Sequence, residues 1–232
     1  MKKIHTAAII LAAGSGTRMN TNVTKQQLLI GGISVLKRTL LAFDNAKTID
    51  EIVVVAKEGE TDFVKSELAG IKKDVKVVIG GKTRAESAKI GFASISETAS
   101  YVAIHDAARC LIHPSDVDRV VRLAFSSDAA FASCSITDTI KAVDSDNRAL
   151  RTIPRETIVA AQTPQVFSVN KYSQALSVSY DNLESITDDN MLLEAIGVRP
   201  LAVDVGKYNI KITTPEDVVF AELLLSEFGG DK

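Results

Sequence analysis

The sequence predicts an α/β fold in which a mainly parallel sheet is covered by helices on both faces. Short apolar runs alternate along the chain with segments whose apolar residues recur at the helical period, and this alternation is typical of βαβ units. The runs are apolar at successive positions, so both faces of each strand are expected to be buried. At 232 residues the chain has the length of a single domain, which we expect to span 1–232.

The predicted elements follow one another in a regular order. Strands are predicted at residues 7–11, 51–56, 75–79, 101–105 and 129–135, and helices at residues 35–45, 61–69, 84–95 and 115–126. A further helix is predicted over 188–196, where Gly197 can end it in the left-handed conformation. The last helix begins at Pro215 after an N-cap Thr214 and runs to about residue 228. We expect this helix to be amphipathic and to cover the sheet.

One segment, at about 138–158, departs from this alternation and indicates a β-hairpin arm. Its strands, at residues 140–143 and 148–151, flank a polar turn at residues 144–147. They carry too few large apolar residues for a two-stranded hairpin to be stable by itself. Two interpretations remain open, a solvated surface hairpin or an arm that packs on a second subunit.

Composition and charge exclude several classes of protein. There are 27 Lys and Arg against 29 Asp and Glu, so the net charge is −2 and no basic excess is available to bind a nucleic-acid backbone. Cys110 and Cys134 are too few for a disulfide framework. No apolar run reaches the roughly 20 residues that a membrane-spanning helix needs. The apolar run after Lys2 and Lys3 ends in a glycine loop rather than a cleavage site, so we expect a cytoplasmic protein.

The strongest candidate site is the glycine loop at residues 11–19, directly after the first predicted strand. Gly14 and Gly16 allow backbone N–H groups to approach an anion closely. Arg18 within the loop and Lys25 soon after it add two cations. The loop lacks both the Gly-Lys-Ser/Thr ending of a P-loop and the third glycine of a dinucleotide-binding fingerprint. A tight strand-to-helix turn is the alternative interpretation of such a loop.

Two further groups of polar residues follow predicted strands, where parallel α/β sheets bind their ligands. Gly81 comes after the third strand, and Arg84 and Ser87 share one face of the next helix. Asp106 and Arg109 follow the fourth strand. A carboxylate in this place can hold a divalent cation or a ribose hydroxyl, and a structural ion pair is the alternative.

These motifs occur in one order along the chain, together with several short runs. They are residues 11–19, Lys25-Gln26, Gly80-Gly81 with Arg84 and Ser87, His105-Asp106-Ala107-Ala108-Arg109, Asp138-Thr139, Arg155, Gln162-Thr163-Pro164-Gln165, Thr187-Asp188 and residues 209–213. The set resembles the family of 2-C-methyl-D-erythritol 4-phosphate cytidylyltransferases of the non-mevalonate isoprenoid pathway, over nearly the whole chain. The resemblance implies a Rossmann-like nucleotidyltransferase fold and a homodimer whose protruding hairpin arms cross. It also implies transfer of CMP from CTP to 2-C-methyl-D-erythritol 4-phosphate, with Mg²⁺ as cofactor and pyrophosphate as product.

The resemblance further implies roles for individual residues. The implied catalytic residues are Arg18, Lys25, Arg155 and Lys211, of which the first two stabilise charge at the α-phosphate and Arg155 reaches across from the partner subunit. CTP contacts are implied for Ala12, Ala13, Gly14, Gly16, Gly81, Arg84, Ser87 and Asp106. Contacts on the side of the alcohol phosphate are implied for Asp106, Arg109, Thr139, Arg155, Thr163 and Lys211. Asp106 is also the implied metal ligand, and the role of the Thr187-Asp188 turn is left open.

The chemistry agrees with the lack of a catalytic triad or a zinc cluster in the sequence. A phosphate monoester is largely dianionic at neutral pH, its second pKa being ~6, so it can attack the α-phosphorus without a base. The site must hold two anions in line and offset charge in the transition state. His105, at the end of a buried strand, is interpreted as a packing residue rather than as a base.

Two positions depart from the family pattern, because Thr24 and Cys110 each stand where a proline is usual. Without a fixed φ at residue 24, the loop that carries Lys25 is expected to be more mobile before a ligand binds. A ribitol-5-phosphate cytidylyltransferase, which would share the fold and the CTP half of the site, is one alternative. A non-catalytic nucleotide-binding protein on the same scaffold is another.

Overall fold

The computed structural model describes residues 4–14, 24–178 and 186–228. The strands in these ranges are β1 (Thr6–Leu11), β2 (Leu29–Ile30), β3 (Ile33–Ser34), β4 (Glu51–Ala56), β5 (Asp74–Ile79), β6 (Tyr101–Asp106), β7 (Ala129–Ser135), β8 (Ile140–Val143), β9 (Ala149–Ile153), β10 (Val159–Ser168) and β11 (Leu201–Asp204). The helices are α1 (Val35–Asn45), α2 (Thr61–Ser66), α3 (Arg84–Phe92), α4 (Pro114–Ser127), α5 (Val169–Ser177), α6 (Asn190–Ala195) and α7 (Pro215–Phe228). Among these helices, none has the length and apolar character that crossing a bilayer requires.

A seven-stranded sheet with the order β11-β7-β10-β6-β1-β4-β5 forms the centre of the structure. Its neighbouring strands are parallel, except that β10 runs antiparallel to both β6 and β7. The predicted α/β fold with a mainly parallel sheet is therefore confirmed. The parallel strands β1, β4, β5 and β6 bring their carboxyl ends to one edge of the sheet, where ligands of such folds bind.

Both faces of the sheet are covered by helices, as the continuous apolar strands predict. Along β1, Ala8 and Ile10 pack in a cluster with residues of α1 and α4. Ile9 points to the opposite face and packs with residues of α3, α5 and α6. This alternation follows from the two-residue period of a strand, so each central strand contributes apolar side chains to two separate cores.

The five predicted strands are present, and their ends differ from the prediction by at most one residue. Helices α2 and α3 end three residues earlier than predicted, because the chain continues as a turn with bonds between residues three apart. In α3, for example, the N–H of Ser94 donates to the carbonyl of Gly91 at 3.0 Å. Gly197 follows α6 with φ +79°, the left-handed conformation that was predicted.

The C-terminal helix α7 differs from the prediction in its surface. Val219, Phe220 and Leu223 are exposed while Ala221 is buried, so apolar side chains surround the helix and it is not amphipathic. It packs in a small third cluster with Ile212 and residues of β2 rather than over the main sheet. The expectation of an amphipathic cover for the sheet was therefore wrong.

Strand β10 is the most consequential element that the sequence did not indicate; the β2–β3 hairpin, α5 and β11 were also missed. Its apolar pattern is interrupted by the run Gln162-Thr163-Pro164, and its register against β7 shifts between Ala161 and Gln165. A proline inside an apolar run argues against a strand, yet proline is tolerated at a bulge. The bulge therefore explains why the sequence pattern did not indicate this ten-residue strand. It also places polar side chains near the ends of the neighbouring strands.

Strands β8 and β9 form a separate two-stranded antiparallel sheet, as the predicted hairpin requires. In the turn, Oδ1 of Asp144 accepts hydrogen bonds from the N–H groups of Asp146 at 3.0 Å and Arg148 at 2.9 Å. Val143 and Leu150 are 52% and 66% exposed. The hairpin thus presents apolar side chains that its own chain does not bury.

Candidate active site

A cleft of about 290 Å³ opens at the carboxyl ends of β1, β5 and β6. The predicted site residues that line it are Ala13, Gly14, Lys25, Gly81, Arg84, Ser87, Asp106 and Lys211. They come from distant parts of the chain, and the sheet brings them together at the edge where parallel α/β folds bind ligands. Gly16 and Arg18 lie outside the described residues.

A larger cavity, about 900 Å³, lies between α1, the start of α4 and α7. Leu41, Leu111 and Leu224 form part of its wall, and it contains none of the predicted site residues. Cys110 also lines this cavity, and burial raises the pKa of its thiol to about 11, so the thiol is protonated at neutral pH. The cavity offers neither clustered cations nor a thiolate, so we place the site in the smaller cleft.

A buried side chain ties the loop after β1 to the segment that carries Lys25. Gln26 is 4% exposed and donates from Nε2 to the carbonyl oxygen of Ala12 at 2.7 Å. The N–H of Ala12 donates to a carbonyl of β4 at 2.8 Å. Both backbone groups of Ala12 are therefore engaged, and Ala13 and Gly14 border the cleft instead. Gln26 was quoted in a motif without a role, and the structure gives it one in positioning the loop.

The N-terminus of α3 forms the second wall of the cleft. Thr83 caps the helix by accepting from the N–H of Glu86 at 3.1 Å, and the Glu86 carboxylate accepts from the N–H of Lys82 at 2.6 Å. The N–H of Gly81 donates to Oγ of Ser87 at 3.2 Å. A Cβ on Gly81 would lie 2.5 Å from Cβ of Glu86, so a side chain does not fit there. The result is a compact turn whose helix terminus favours a bound anion.

Asp106, at the end of β6, is the centre of a charged cluster. Its Oδ1 accepts from Nε of Arg84 at 3.1 Å, and its Oδ2 accepts from Nζ of Lys211 at 2.7 Å. Burial alone would raise the pKa of Asp106, but the charges of Arg84 and Lys211 outweigh that effect and hold the pKa well below its usual range. The carboxylate is therefore ionised throughout the neutral pH range.

Asp189 is a member of this cluster that sequence reasoning missed. Its carboxylate is 1% exposed and accepts from Nη1 of Arg84 at 2.7 Å and from the hydroxyl of Tyr172 at 2.7 Å. Burial would lower the pKa of Arg84, but Asp189 and Asp106 raise it instead. The available signal was the Asp188-Asp189 pair at the start of the helix predicted over 188–196, and it had no assigned role.

Thr163 and His105 fix the turn that carries Asp106 and Arg109. Thr163 is 4% exposed, and its hydroxyl accepts from the N–H of Asp106 at 3.0 Å and lies 3.1 Å from Nδ1 of His105. Nε2 of His105 lies 3.2 Å from the carbonyl oxygen of Arg109. Because a carbonyl can only accept, Nε2 carries the proton and Nδ1 accepts from the Thr163 hydroxyl. His105 is thus a buried positioning residue, in agreement with the prediction that it packs.

The buried imidazole of His105 should make the protein less stable in mild acid. Burial lowers its pKa to about 3, whereas the unfolded chain titrates at ~6.5. Between these values the unfolded state binds more protons, so the contribution is fully present above about pH 6.5 and falls as the pH decreases, by roughly 2 kcal/mol at pH 5. Urea unfolding from pH 7 to pH 5 measures this loss.

The control for that prediction is His105→Gln, which cannot titrate in this range and should show a shallower pH dependence of the free energy of unfolding than the wild type. Equal pH dependence in the two proteins would contradict the assignment. If the variant does not fold, NMR of the wild-type imidazole gives the same answer, since its signals should remain those of a neutral ring at pH 5.

Arg109 is half-buried beside the cleft rather than on its lining. Its Nη1 donates to the carbonyl oxygen of Asn209 at 2.8 Å, and burial lowers its pKa. Nδ2 of Asn209 donates to Oε1 of Gln162 at 2.9 Å and to the carbonyl oxygen of Thr163 at 2.8 Å. Asn209 and Gln162 had no predicted role, and the structure shows that they join the segment before α7 to the bulge of β10.

The two predicted site residues near the arm lie elsewhere. Thr139 precedes β8 and is exposed. Arg155 follows β9, donates from Nη1 to the carbonyl oxygen of Thr137 at 2.9 Å, and has a side chain that is 56% exposed. Neither Thr139 nor Arg155 borders the cleft of its own chain.

The donor set of the cleft limits what metal it can hold. Among residues 4–14, 24–178 and 186–228, no three His, Cys, Asp or Glu side chains form a group that could enclose an ion. Asp106 supplies a carboxylate at the cleft, and Mg²⁺ is commonly bound by one or two carboxylates together with substrate phosphates and water. Asp106 therefore fits a magnesium ion that arrives with a nucleotide.

Comparison with known proteins agrees with this geometry and confirms the resemblance. A family model described as 2-C-methyl-D-erythritol 4-phosphate cytidylyltransferase matches residues 6–227. The chain is 39% identical over 218 residues to a protein of that name from Prochlorococcus marinus, covering 94% of this chain and 97% of the relative. A solved 4-diphosphocytidyl-2C-methyl-D-erythritol synthase from Anaerococcus prevotii matches with a TM-score of 0.85 at 29% identity, covering 97% of each chain. The 2-C-methyl-D-erythritol 4-phosphate cytidylyltransferase structure from Thermus thermophilus matches with a TM-score of 0.76 at 27% identity, covering 94% of this chain and 98% of the other. This chain belongs to the 2-C-methyl-D-erythritol 4-phosphate cytidylyltransferase family.

Proposed function

We propose that the chain transfers CMP from CTP to 2-C-methyl-D-erythritol 4-phosphate, a step of isoprenoid biosynthesis that yields 4-diphosphocytidyl-2-C-methyl-D-erythritol and pyrophosphate. Membership of the family supports this reaction. The observation in the structure that carries it is the cleft in which Arg84 and Lys211 flank Asp106, beside Lys25 and a helix N-terminus. Such a site suits polyanionic substrates.

The reaction needs positioned charge rather than a base. An oxygen of the alcohol phosphate attacks the α-phosphorus of CTP, the bond from that phosphorus to the bridging oxygen breaks, and pyrophosphate leaves with the electron pair. Lys25 and Arg18 would offset the charge that develops at the α-phosphate. Lys211 and Arg109 would hold the alcohol phosphate in line with the bond that breaks.

The remaining predicted residues would bind the nucleotide. Ala13, Gly14 and Gly81 border the cleft, and N–H groups of the loop after β1 can approach phosphate oxygens closely there. Ser87 already accepts from the N–H of Gly81, so its first role is to shape the turn. Arg84 completes this side as a cation fixed by two carboxylates.

We also propose Mg²⁺ as the cofactor, held by Asp106 and the phosphates of CTP. A carboxylate offers about four lone-pair sites, so Asp106 can bind an ion while it still accepts from Arg84 and Lys211. When bound, the ion would neutralise phosphate charge and polarise the α-phosphate. Asp106 itself would orient the ion and keep the side chains of Arg84 and Lys211 at the reaction centre.

A homodimer with crossed arms is the second part of the proposal. Arg155 and Thr139 are exposed and do not border the cleft of their own chain, which supports a role at the cleft of a partner. The exposed Val143 and Leu150 of the hairpin would be buried by a second subunit. We place the enzyme in the cytoplasm, and the free thiols of Cys110 and Cys134 suit a reducing compartment.

Pyrophosphate release tests the reaction. The protein is incubated with CTP, Mg²⁺ and either 2-C-methyl-D-erythritol 4-phosphate or ribitol 5-phosphate, and turnover is expected with the first. Turnover only with ribitol 5-phosphate would overturn the choice of alcohol. CTP binding without release of pyrophosphate in the presence of either alcohol phosphate would instead favour a non-catalytic nucleotide-binding protein.

A further inference from the structure

Arg84 is held by two carboxylates that come from different parts of the chain. Its Nε bonds to Asp106 at 3.1 Å and its Nη1 bonds to Asp189 at 2.7 Å. Its third nitrogen, Nη2, is buried and has no hydrogen-bond partner in the part of the chain that the structure describes. The guanidinium is therefore fixed at two nitrogens, while the side chain borders the cleft and is 25% exposed.

Asp189 occupies a position where an aspartate usually serves the helix itself. It is the N-cap of α6, yet its side chain makes no capping hydrogen bond. The neighbouring Asp188 contacts the helix instead, because its Oδ1 accepts from the N–H of Met191 at 3.2 Å. The Asp189 carboxylate is thus directed to Arg84 and Tyr172 rather than to its own helix.

The partners of Asp189 are themselves rigid. The ring of Tyr172 is fully buried, stacks on Phe167 with centroids 5.4 Å apart, and meets Phe92 edge-on at 4.9 Å. The N–H of Asp189 donates to Oε1 of Gln165 at 2.9 Å, which ties the turn before α6 to β10. The carboxylate is therefore held in place by side-chain and backbone contacts before any ligand binds.

A negative charge beside a phosphate-binding arginine needs a physical reason. By charge alone, Asp189 weakens the attraction between Arg84 and an incoming anion. An arginine side chain has many rotamers, however, and losing this freedom on binding reduces affinity unless the side chain is already ordered. The contacts of Asp189 order the Arg84 side chain before a ligand binds, although the carboxylate also offsets part of the positive charge of Arg84.

We propose that Asp189 is a positioning residue for CTP binding. Together with Tyr172, Asp189 holds the Arg84 guanidinium in the orientation that receives the triphosphate. This inference rests on the proposed function, in which Arg84 contacts CTP. Positioning and simple electrostatics make opposite predictions for Asp189→Asn. Loss of the negative charge alone would tighten CTP binding, whereas loss of the fixed orientation would weaken it.

The test compares Asp189→Asn and Tyr172→Phe with a matched control. Arg84 and Tyr172 donate to different oxygens of Asp189, and in asparagine one of these oxygens is replaced by an NH₂ group, which is a donor, so one of the two bonds is lost. The control is Asp118→Asn on α4, which changes another buried carboxylate, one that accepts from the N–H and hydroxyl of Thr48 at 2.8 Å and lies outside the cleft lining.

The dissociation constant of CTP with Mg²⁺, measured by calorimetry, and the KM for CTP should both rise about tenfold in Asp189→Asn, as expected for loss of a supporting partner. Tyr172→Phe keeps the ring packing and should raise both about threefold, the loss of one hydrogen bond. The KM for the alcohol phosphate should change less than twofold in both variants, and the control should resemble the wild type in all three quantities.

Unchanged or tighter CTP binding in folded Asp189→Asn would overturn the inference. If that variant does not fold, Tyr172→Phe decides, and wild-type CTP affinity in it would have the same meaning. Failure of the proposed function would look different, because the wild type would then release no pyrophosphate while calorimetry still compares the CTP affinities of the variants.

Discussion

Replacing Lys25 with alanine should lower kcat at least about 100-fold, the order of effect seen when one preorganised charge stabiliser is removed. Lys25 borders the cleft at the start of a single 3-10 turn, Lys25–Gln27. Gln26 anchors this turn to the carbonyl oxygen of Ala12, so the backbone should keep its position when the Lys25 side chain is shortened. The loss would therefore fall on the transition state and not on the fold.

Lys89→Ala is the matched control for this prediction, because Lys89 is an exposed lysine on α3 that does not line the cleft. Steady-state pyrophosphate release at saturating CTP measures kcat for both variants, and thermal unfolding checks that both remain folded. Near-normal turnover in Lys25→Ala would remove Lys25 from the proposed role.

Hydrogen bonds of Thr24 hold that turn, at a position where the family resemblance implies a proline. Its N–H donates to Oε1 of Gln27 at 3.2 Å, and its hydroxyl donates to Oε2 of Glu60 at 3.3 Å. Side-chain hydrogen bonds thus stand in for a fixed φ at this position. The greater mobility of the segment that carries Lys25 before a ligand binds stays a prediction. The bond from Thr24 to Glu60 connects residue 24 to the start of α2.

Replacing Arg155 with alanine should also reduce activity at least about 100-fold, since a cation that positions one of two anionic substrates would be lost. The Arg155 side chain is 56% exposed, and it contacts Thr137 and Glu156, which belong to neighbouring parts of the same arm. The variant should therefore fold normally and keep the oligomeric state of the wild type. Pyrophosphate release measures the activity, and light scattering measures the oligomeric state.

Mixed dimers show whether Arg155 acts in the partner's cleft. When Arg155→Ala and Lys25→Ala chains are unfolded together and refolded as a 1:1 mixture, half of the dimers are mixed, and each mixed dimer has one intact site. Recovery to about one quarter of wild-type activity is expected from this symmetry. No recovery, in mixtures shown to contain mixed dimers, would contradict the crossed arms.

The main sheet was predictable because its central strands carry their signal locally. The strands predicted at residues 51–56 and 129–135 coincide with β4 and β7, since short continuous apolar runs are typical of strands that are buried on both faces. The cleft residues at the ends of β1, β5 and β6 could also be predicted, because parallel topology brings strand ends together. Asp106, Arg84 and Ser87 meet for this reason.

The contacts that could not be predicted join residues far apart in sequence. Asp189 bonds to Arg84 across 105 residues, and a pair of aspartates before a helix has a sufficient local explanation as a cap. Thr163 lies in a bulge where proline argues against a strand, so its bond to the backbone of Asp106 had no local signal. Gln26 and Asn209 are further examples, because their hydrogen bonds connect distant segments of the chain rather than residues within one helix or strand.

The antiparallel strand β10, between β6 and β7, also constrains the order in which the chain folds during synthesis. β6 and β7 are consecutive strands of the main sheet, yet they cannot become neighbours, because the gap between them is filled by residues that leave the ribosome later. The half-sheet of β5, β4, β1 and β6 can assemble first, and the outer edge of β6 then stays unpaired until β10 has been synthesised. Lys211 reaches Asp106 across 105 residues, so the charged centre is completed only when almost the whole chain has emerged. A nascent chain that lacks its C-terminal fifth therefore has Asp106 and Arg84 without Lys211, the cation that completes the charged cluster.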